Sequence, residues 1–180
     1  FLSHVLRQYI DKPVVALDMC AAPGGKSTLA LSQLPEGSLL VANEAIRQRA
    51  SILAENITKW GNPNCIVTSN YAEDFHAFGG VFDLIICDAP CSGEGMFRKD
   101  DKAIEDWSQN NVQLCCERQK RIVSDVYPAL KEGGLLIYST CTYNEEEDEK
   151  NVKWISEELG ADILSVQTEA NWSITENPFG

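Results

Sequence analysis

Six short apolar runs, separated by stretches with helical spacing, constrain what this chain can fold into more than any other feature. The runs are residues 14–17, 39–43, 65–68, 84–87, 135–140 and 163–166. They are continuously apolar rather than alternating, as strands covered on both faces are. Helical patterns lie between them at 27–34, 46–60, 112–130 and 145–159. In the second, Ala50, Leu53, Ile57 and Trp60 form one stripe. The third repeats apolar side chains at 112, 115, 116, 122, 123, 126 and 130 and stops at Gly133-Gly134. The fourth has Asn144 as its expected N-cap, acids in its first turn, and Val152, Ile155 and Leu159 facing inward. Strand–helix alternation predicts an α/β fold, a Rossmann-like, doubly wound and mostly parallel sheet. Ligands of such sheets bind beyond the carboxyl ends of the strands. Motifs at those ends are therefore expected to carry the chemistry.

Bulk properties remove several function classes. With 180 residues and 44% hydrophobic content, residues 1–180 suit one domain with a full core. No apolar run approaches the roughly 20 residues that a membrane span needs, and residues 1–10 do not read as a signal peptide. The seven cysteines are odd in number, include no C-x-x-C, and accompany only His4 and His76. That pattern argues against a disulfide scaffold and against zinc, and no metal is expected. A reducing, cytoplasmic compartment fits the scattered thiols. The net charge is −12, with acids concentrated at 100–106 and 145–149. Such runs are ordinarily solvated faces.

The first run leads into Asp18-Met19-Cys20-Ala21-Ala22-Pro23-Gly24-Gly25-Lys26-Ser27. An acid, a tight turn of small residues and a helix start make a nucleotide-type pocket, because small side chains admit a ligand to the backbone and the helix start offers free N–H groups. Gly25-Lys26-Ser27 resembles the end of a phosphate-binding P-loop, and 82–88 resembles a Walker B strand. The P-loop, however, requires glycine five residues before Gly25, where Cys20 stands, and Pro23 lacks an N–H that a phosphate cradle would use. S-adenosylmethionine is the better candidate. The second run ends at Asn43-Glu44, where a carboxylate can accept the protons of both ribose hydroxyls. The bland alternative for Glu44 is an acid at a helix start. After the third run, Asn70 is the favoured contact for the adenine amine.

Two cysteines lie just past strand ends, in Asp88-Ala89-Pro90-Cys91-Ser92-Gly93-Glu94-Gly95 and in Tyr138-Ser139-Thr140-Cys141-Thr142. Cys65, Cys87, Cys115 and Cys116 sit inside strand or helix patterns and read as small buried hydrophobes. Cys91 and Cys141 sit among polar and turn residues, where that explanation is poor. A thiol is useful when a methyl group must reach a weakly nucleophilic carbon such as C5 of cytosine. Addition of a thiolate to C6 makes C5 reactive, which is covalent catalysis. Asp88 is placed to hydrogen-bond the cytosine N3 or amino group during addition. Lys26 either supplies positive potential and orients Asp88 or is an ordinary exposed lysine. Spacing alone leaves open which cysteine attacks. An amino methyltransferase needs no thiol and carries an aromatic after an Asp/Asn-Pro-Pro turn, which Asp88-Ala-Pro-Cys91 lacks.

Together these three motifs resemble the RNA 5-cytosine methyltransferases of the Nop/Sun group, over nearly the whole chain. The resemblance implies S-adenosylmethionine as cofactor, RNA, and specifically ribosomal RNA, as substrate, and a division of labour between the thiols. The cysteine of the Ser-Thr-Cys motif, here Cys141, is the family's nucleophile, and that of the Asp-Ala-Pro-Cys motif, here Cys91, assists product release. In DNA cytosine methyltransferases a Pro-Cys cysteine attacks instead, which makes Cys91 the rival. The family's cofactor contacts map onto Cys20, Ala21, Ala22, Pro23, Gly24, Gly25, Lys26, Glu44 and Asp88. Its usual aspartate after the third strand is replaced by Asn70-Tyr71. The family's domain closes with an antiparallel strand to which 167–180 show no convincing match, and its RNA-binding segments lie outside this stretch, so the chain reads as a catalytic core from a longer protein. Net acidity points the same way, since a domain gripping phosphates alone would carry a basic face. Met96-Phe97-Arg98-Lys99 is either an RNA-contacting loop or an ordinary exposed one. A non-catalytic RNA or ribosome assembly factor and a P-loop-like NTPase are the competing functions.

Overall fold

The structure, a computed structural model, describes residues 1–175. The elements run α1 (Leu2–Tyr9), β1 (Val15–Asp18), α2 (Gly25–Gln33), β2 (Leu39–Asn43), α3 (Arg47–Trp60), β3 (Cys65–Thr68), β4 (Phe82–Asp88), α4 (Asp101–Asp106), α5 (Gln109–Val126), β5 (Leu130–Ser139) and α6 (Glu149–Leu159). Short 3-10 turns fill Ala72–Phe78, Glu94–Met96, Tyr127–Ala129 and Ala170–Trp172. The strands form one sheet of order β3-β2-β1-β4-β5. Its central pairs are parallel, with Leu17 opposite Val41 and Ile85, and Val41 opposite Ile66. This is the doubly wound α/β arrangement expected from the alternation.

The chain divides into two compact units, residues 1–89 with 122–138, and residues 90–121 with 139–180. The sheet belongs to the first unit, apart from the last residue of β5. Its core explains why the runs are continuously apolar. Ala16, Leu40, Ala42, Leu84 and Ile86 pack on one face with Ala30 and Leu31 of α2 and Leu53 and Ile57 of α3. Leu17 and Ile85 point to the other face and pack with Phe75, Phe82, Val126 and Ala129. The apolar residues of the central strands thus find apolar cover on both faces, whereas Ile66 on the edge strand β3 is 50% exposed. In the second unit, Val112, Cys115 and Gln119 of α5, Thr142, Glu147, and Asn151 and Ile155 of α6 are buried.

Several expectations are corrected. Residues 163–166 form no strand; Ile163 and Leu164 are exposed. Residues 167–175 hold only the last 3-10 turn, and 176–180 lie outside the described residues. The glycine pair does not separate helix from strand, because β5 already begins at Leu130 and runs through Gly133 and Gly134. Asn144 does not cap α6, which starts at Glu149; its carbonyl accepts the N–H groups of Glu147 and Asp148 in a turn before the helix. Trp60 leaves its stripe and is 54% exposed, whereas Ala50, Leu53 and Ile57 are buried. At the last residue before Gly61, which has the left-handed φ of a helix end, Trp60 no longer faces the sheet.

One carboxylate is built into the core. Asp18 ends β1, is fully buried and accepts a 2.6 Å hydrogen bond from Ser27 Oγ of α2. Burial raises its pKa from 3.8 to about 6, against the lowering effect of the Ser27 bond. The unfolded chain therefore binds fewer protons than the folded one between those values, and stability falls as pH rises through that window. The half-buried Asp148 is raised by burial to about 6 as well and adds to the slope.

Two expectations follow from this packing. Leu53→Ala should cost about 2–5 kcal/mol in urea denaturation and Trp60→Ala under about 1 kcal/mol, since only the first opens a core cavity. Wild type should lose stability between pH 4 and 6, and Asp18→Asn should remove at most about 3 kcal/mol of that loss, the equivalent of a pKa moved from 3.8 to about 6; an unchanged slope in urea melts across this range would contradict the burial account.

Candidate functional site

In the first unit, the turn from β1 into α2 is fixed by hydrogen bonds from the neighbouring strand and helix. Ala21 N–H donates to the Asn43 carbonyl at 2.8 Å. The Asn43 side chain is buried at the end of β2 and donates to the carbonyls of Met19 (3.2 Å) and Asn70 (3.0 Å). Its Oδ1 accepts from Thr68 Oγ1 (2.8 Å) and Asn70 N–H (3.0 Å). On the other side of the turn, Arg49 of α3 donates to the Ala22 carbonyl at 2.9 Å, and Asn56 donates to the Pro23 carbonyl at 2.7 Å. Gly24 takes φ +112°, a backbone conformation that calls for glycine, and a Cβ there would stand 3.2 Å from Leu53 Cδ1.

Glu44 follows directly after β2 and is buried. Its Oε1 accepts the Ile46 N–H at 3.0 Å, the local acid-at-helix-start bond that the bland alternative foresaw. Its Oε2 is buried without a hydrogen-bond partner, and the Arg49 guanidinium reaches it only at ion-pair distance, 3.4 Å. A buried carboxylate oxygen with unused acceptor capacity beside a small-residue turn suits a hydroxyl-bearing ligand such as a ribose. Asn70 is exposed; its backbone is tied to Asn43, and its side-chain Nδ2 reaches Asp74 Oδ2 at 3.4 Å. Lys26 Nζ lies 2.7 Å from Asp88 Oδ2, although the lysine side chain remains 46% exposed. The residues Cys20 to Lys26, Glu44, Asn70 and Asp88 thus gather at the carboxyl ends of β1, β2, β3 and β4. Cys87 stays a thiol, raised by its hydrogen bond with Cys20 and by burial.

The second unit carries the two strand-end cysteines. Their Sγ atoms are 3.0 Å apart, and the Cys141 N–H points at Cys91 Sγ at 3.4 Å. Cys141 is exposed and Cys91 half-buried. Burial and the contact with Cys141 push Cys91 up to about 12. Gly95 N–H donates to the Cys141 carbonyl at 2.8 Å, and a Cβ on Gly95 would lie 2.4 Å from that oxygen. Glycine is therefore required for the two loops to approach. Glu94 accepts from Tyr143 N–H (3.2 Å), Asn144 Nδ2 (3.3 Å) and Trp107 Nε1 (3.0 Å). Thr140 Oγ1 donates to Asp148 Oδ1 at 2.5 Å. In the 96–99 loop, Arg98 and Lys99 are exposed and Phe97 half-buried.

Sequence reasoning missed what the acids of 145–149 do. Glu147 is fully buried and Asp148 half-buried, so this run is no solvated face, unlike 100–106, where the acids are exposed. Glu94, Gln119 and Asn43 were also missed, because their partners are distant in sequence. Cys65 and Cys116 are half-exposed rather than buried; Cys116 Sγ lies 3.2 Å from both Asn151 Oδ1 and the Glu146 carbonyl, with one S–H to share between them. Among the described residues, no group of three or more His, Cys, Asp or Glu could hold a metal ion, and no helix is long and apolar enough to cross a membrane.

A family model described as "16S rRNA methyltransferase RsmB/F" matches residues 9–174. Ribosomal RNA small subunit methyltransferase F of Pectobacterium atrosepticum is 38% identical over 157 residues, covering 85% of this chain and 32% of the relative. The protein of the same name from Vibrio cholerae is 40% identical over 173 residues, covering 91% of this chain and 36% of the relative. The chain thus spans about a third of the length of these relatives. Among solved structures, NSun6 from Pyrococcus horikoshii with SFG is 29% identical with a TM-score of 0.76, over 87% of this chain and 40% of that one. The sheet is that of the methyltransferases, and the NTPase alternative falls away. From its glycine turn to its paired thiols, the chain belongs to the 16S rRNA methyltransferase RsmB/F family.

Proposed function

We propose that this chain is the catalytic core of an S-adenosylmethionine-dependent RNA methyltransferase that makes 5-methylcytosine, in ribosomal RNA, through a covalent adduct on Cys141. The observation that carries the reading is the thiol pair, with Sγ atoms 3.0 Å apart and in unlike surroundings. The names of the curated relatives support a ribosomal RNA substrate, and the relative solved with SFG, an analogue of S-adenosylmethionine, supports the cofactor.

Glu44, through its unused Oε2, would take the ribose hydroxyls. The turn from Cys20 through Ala21, Ala22, Pro23, Gly24 and Gly25 to Lys26 would admit the ligand to the backbone, and Asn70 would contact the adenine. When bound, S-adenosylmethionine supplies an electrophilic methyl group. The remaining steps belong to the chain's own residues. The exposed Cys141 Sγ gives up its proton to solvent water and adds to C6 of the cytosine, and the electron pair of the C5–C6 double bond passes toward N3. Asp88 would accept a hydrogen bond from the amino group or, protonated, donate one to N3, and the Lys26 ammonium 2.7 Å away would favour that charge shift. Once C5 is methylated, its proton passes to solvent water, the freed pair re-forms the C5–C6 double bond, and the Cys141–C6 bond breaks with its pair on sulfur. Cys91, at about 12, holds its proton at neutral pH and so has one to offer during release. Base access would require a flipped or single-stranded cytosine. The reaction would proceed in the cytoplasm, where the chain's free thiols stay reduced.

Cys141→Ala should still bind S-adenosylmethionine in calorimetry but lose methyl transfer to RNA by at least about a thousandfold, as removal of a covalent nucleophile does. Cys91→Ala should accumulate an RNA adduct that survives denaturing electrophoresis. Full activity of Cys141→Ala would refute the assignment of the nucleophile. RNA binding by the unaltered protein with no cytosine labelled would favour the assembly-factor alternative.

A further inference from the structure

We propose that Glu147, acting with Gln119, is a positioning residue that clamps the Pro90–Ser92 turn and so fixes the Cys91 thiol beside Cys141. The proposal rests on the roles of the two cysteines given above. Glu147 and Gln119 are both fully buried. Glu147 Oε2 accepts the Ser92 N–H at 3.0 Å, and its Oε1 lies 3.4 Å from the same nitrogen. Gln119 Nε2 donates to Glu147 Oε2 at 2.7 Å and to the Pro90 carbonyl at 3.0 Å. The backbone is therefore gripped on both sides of Cys91, at the residue before it and the residue after it. Ser92 Oγ and Thr142 Oγ1, 3.2 Å apart, tie the turn to the residue that follows Cys141.

The orientation of the clamp is dictated from behind. Asn151 Nδ2 donates to Gln119 Oε1 at 2.8 Å and to the Glu147 carbonyl at 3.2 Å. With its oxygen committed to Asn151, the Gln119 amide must turn its NH2 toward Glu147 and Pro90. Burying a carboxylate is costly unless donors surround it. An apolar side chain at 147 would pack at lower cost but could not accept the Ser92 N–H. What the carboxylate adds is a defined backbone path through Cys91. Half-burial of Cys91 and its contact with Cys141 both follow from that path.

The test is differential alkylation of the folded chain by iodoacetamide, followed by mass spectrometry at Cys91, Cys141 and the buried Cys87. In Glu147→Met the Ser92 N–H and the Gln119 amide lose their acceptor. In Gln119→Met the Pro90 carbonyl loses its donor. In each variant the Cys91 to Cys141 rate ratio should rise about tenfold, the factor that one lost hydrogen bond corresponds to. Cys87 should stay protected. A general loosening would speed all three thiols together, so the ratio separates positioning from mere stability. A ratio unchanged in both folded variants would overturn the proposal. Should both variants unfold, exposing Cys87, amide exchange of Ser92 in the unaltered chain decides: strong protection supports the clamp, and free exchange overturns it. Methyl transfer by the unaltered protein is scored separately. Its absence together with a raised ratio would sink the catalytic reading and leave the clamp standing.

Discussion

The loops of the first unit depend on one buried amide. The Asn43 side chain has two N–H donors and an oxygen that can accept twice, and all four capacities are used, toward Met19, Asn70 and Thr68. The backbone carbonyl of the same residue holds Ala21. The chain segments leaving β1, β2 and β3 are thereby joined at one point. A parallel sheet aligns its strand ends but leaves the loops beyond them without ladder partners, and their polar groups must be satisfied some other way. Asn43 does this for the loops after β1 and β3 at once. Glu44, the next residue, is carried into place by the same strand end.

The second unit uses acids where the first uses an amide. Glu94 collects two donors from the loop after Cys141 and a third from Trp107, and Glu147 holds the turn around Cys91. Both thiol-bearing segments are irregular backbone and must find acceptors for N–H groups that no helix or strand supplies. Carboxylates suit this because each offers two oxygens and several acceptor directions. A chain with net charge −12 can therefore spend acids on internal order. Its overall charge is a poor guide to how its loops would meet a polyanion.

Much of this was legible in the sequence, for identifiable reasons. β2 and β3 were read to the residue because their apolar runs are bounded by polar and turn residues on both sides. Orienting Asp88 was one of the roles left open for Lys26, and the two side chains do meet, since both sit in motifs at strand ends that a parallel sheet brings to one edge. What failed was whatever depended on a remote partner. Residues 163–166 have strand-like composition, but composition cannot say whether another strand lies alongside to complete a ladder. Glu147 sits in a run of acids that looks solvated, and the donors that draw it inward, Ser92 and Gln119, are 55 and 28 positions away. Gly133-Gly134 looked like a helix stop because glycine is a strong local signal, yet the helix had already ended at Val126 and the strand had begun.

The unlike surroundings of the two thiols bear on which cysteine does what. On the proposed reading, one sulfur must reach a substrate carbon and the other must keep a proton until the adduct breaks. Reach needs exposure, and Cys141 is the exposed member of the pair. Keeping a proton needs an environment that disfavours the thiolate, and burial together with the neighbouring sulfur supplies it at Cys91. The reverse assignment would ask the half-buried thiol, whose burial disfavours the thiolate, to ionise and attack while its exposed neighbour waited. Motif spacing treats the cysteines as equivalent, since each follows a strand end. The asymmetry arises only when the Pro90–Ser92 turn is drawn inward onto Glu147 while the Cys141 loop remains at the surface.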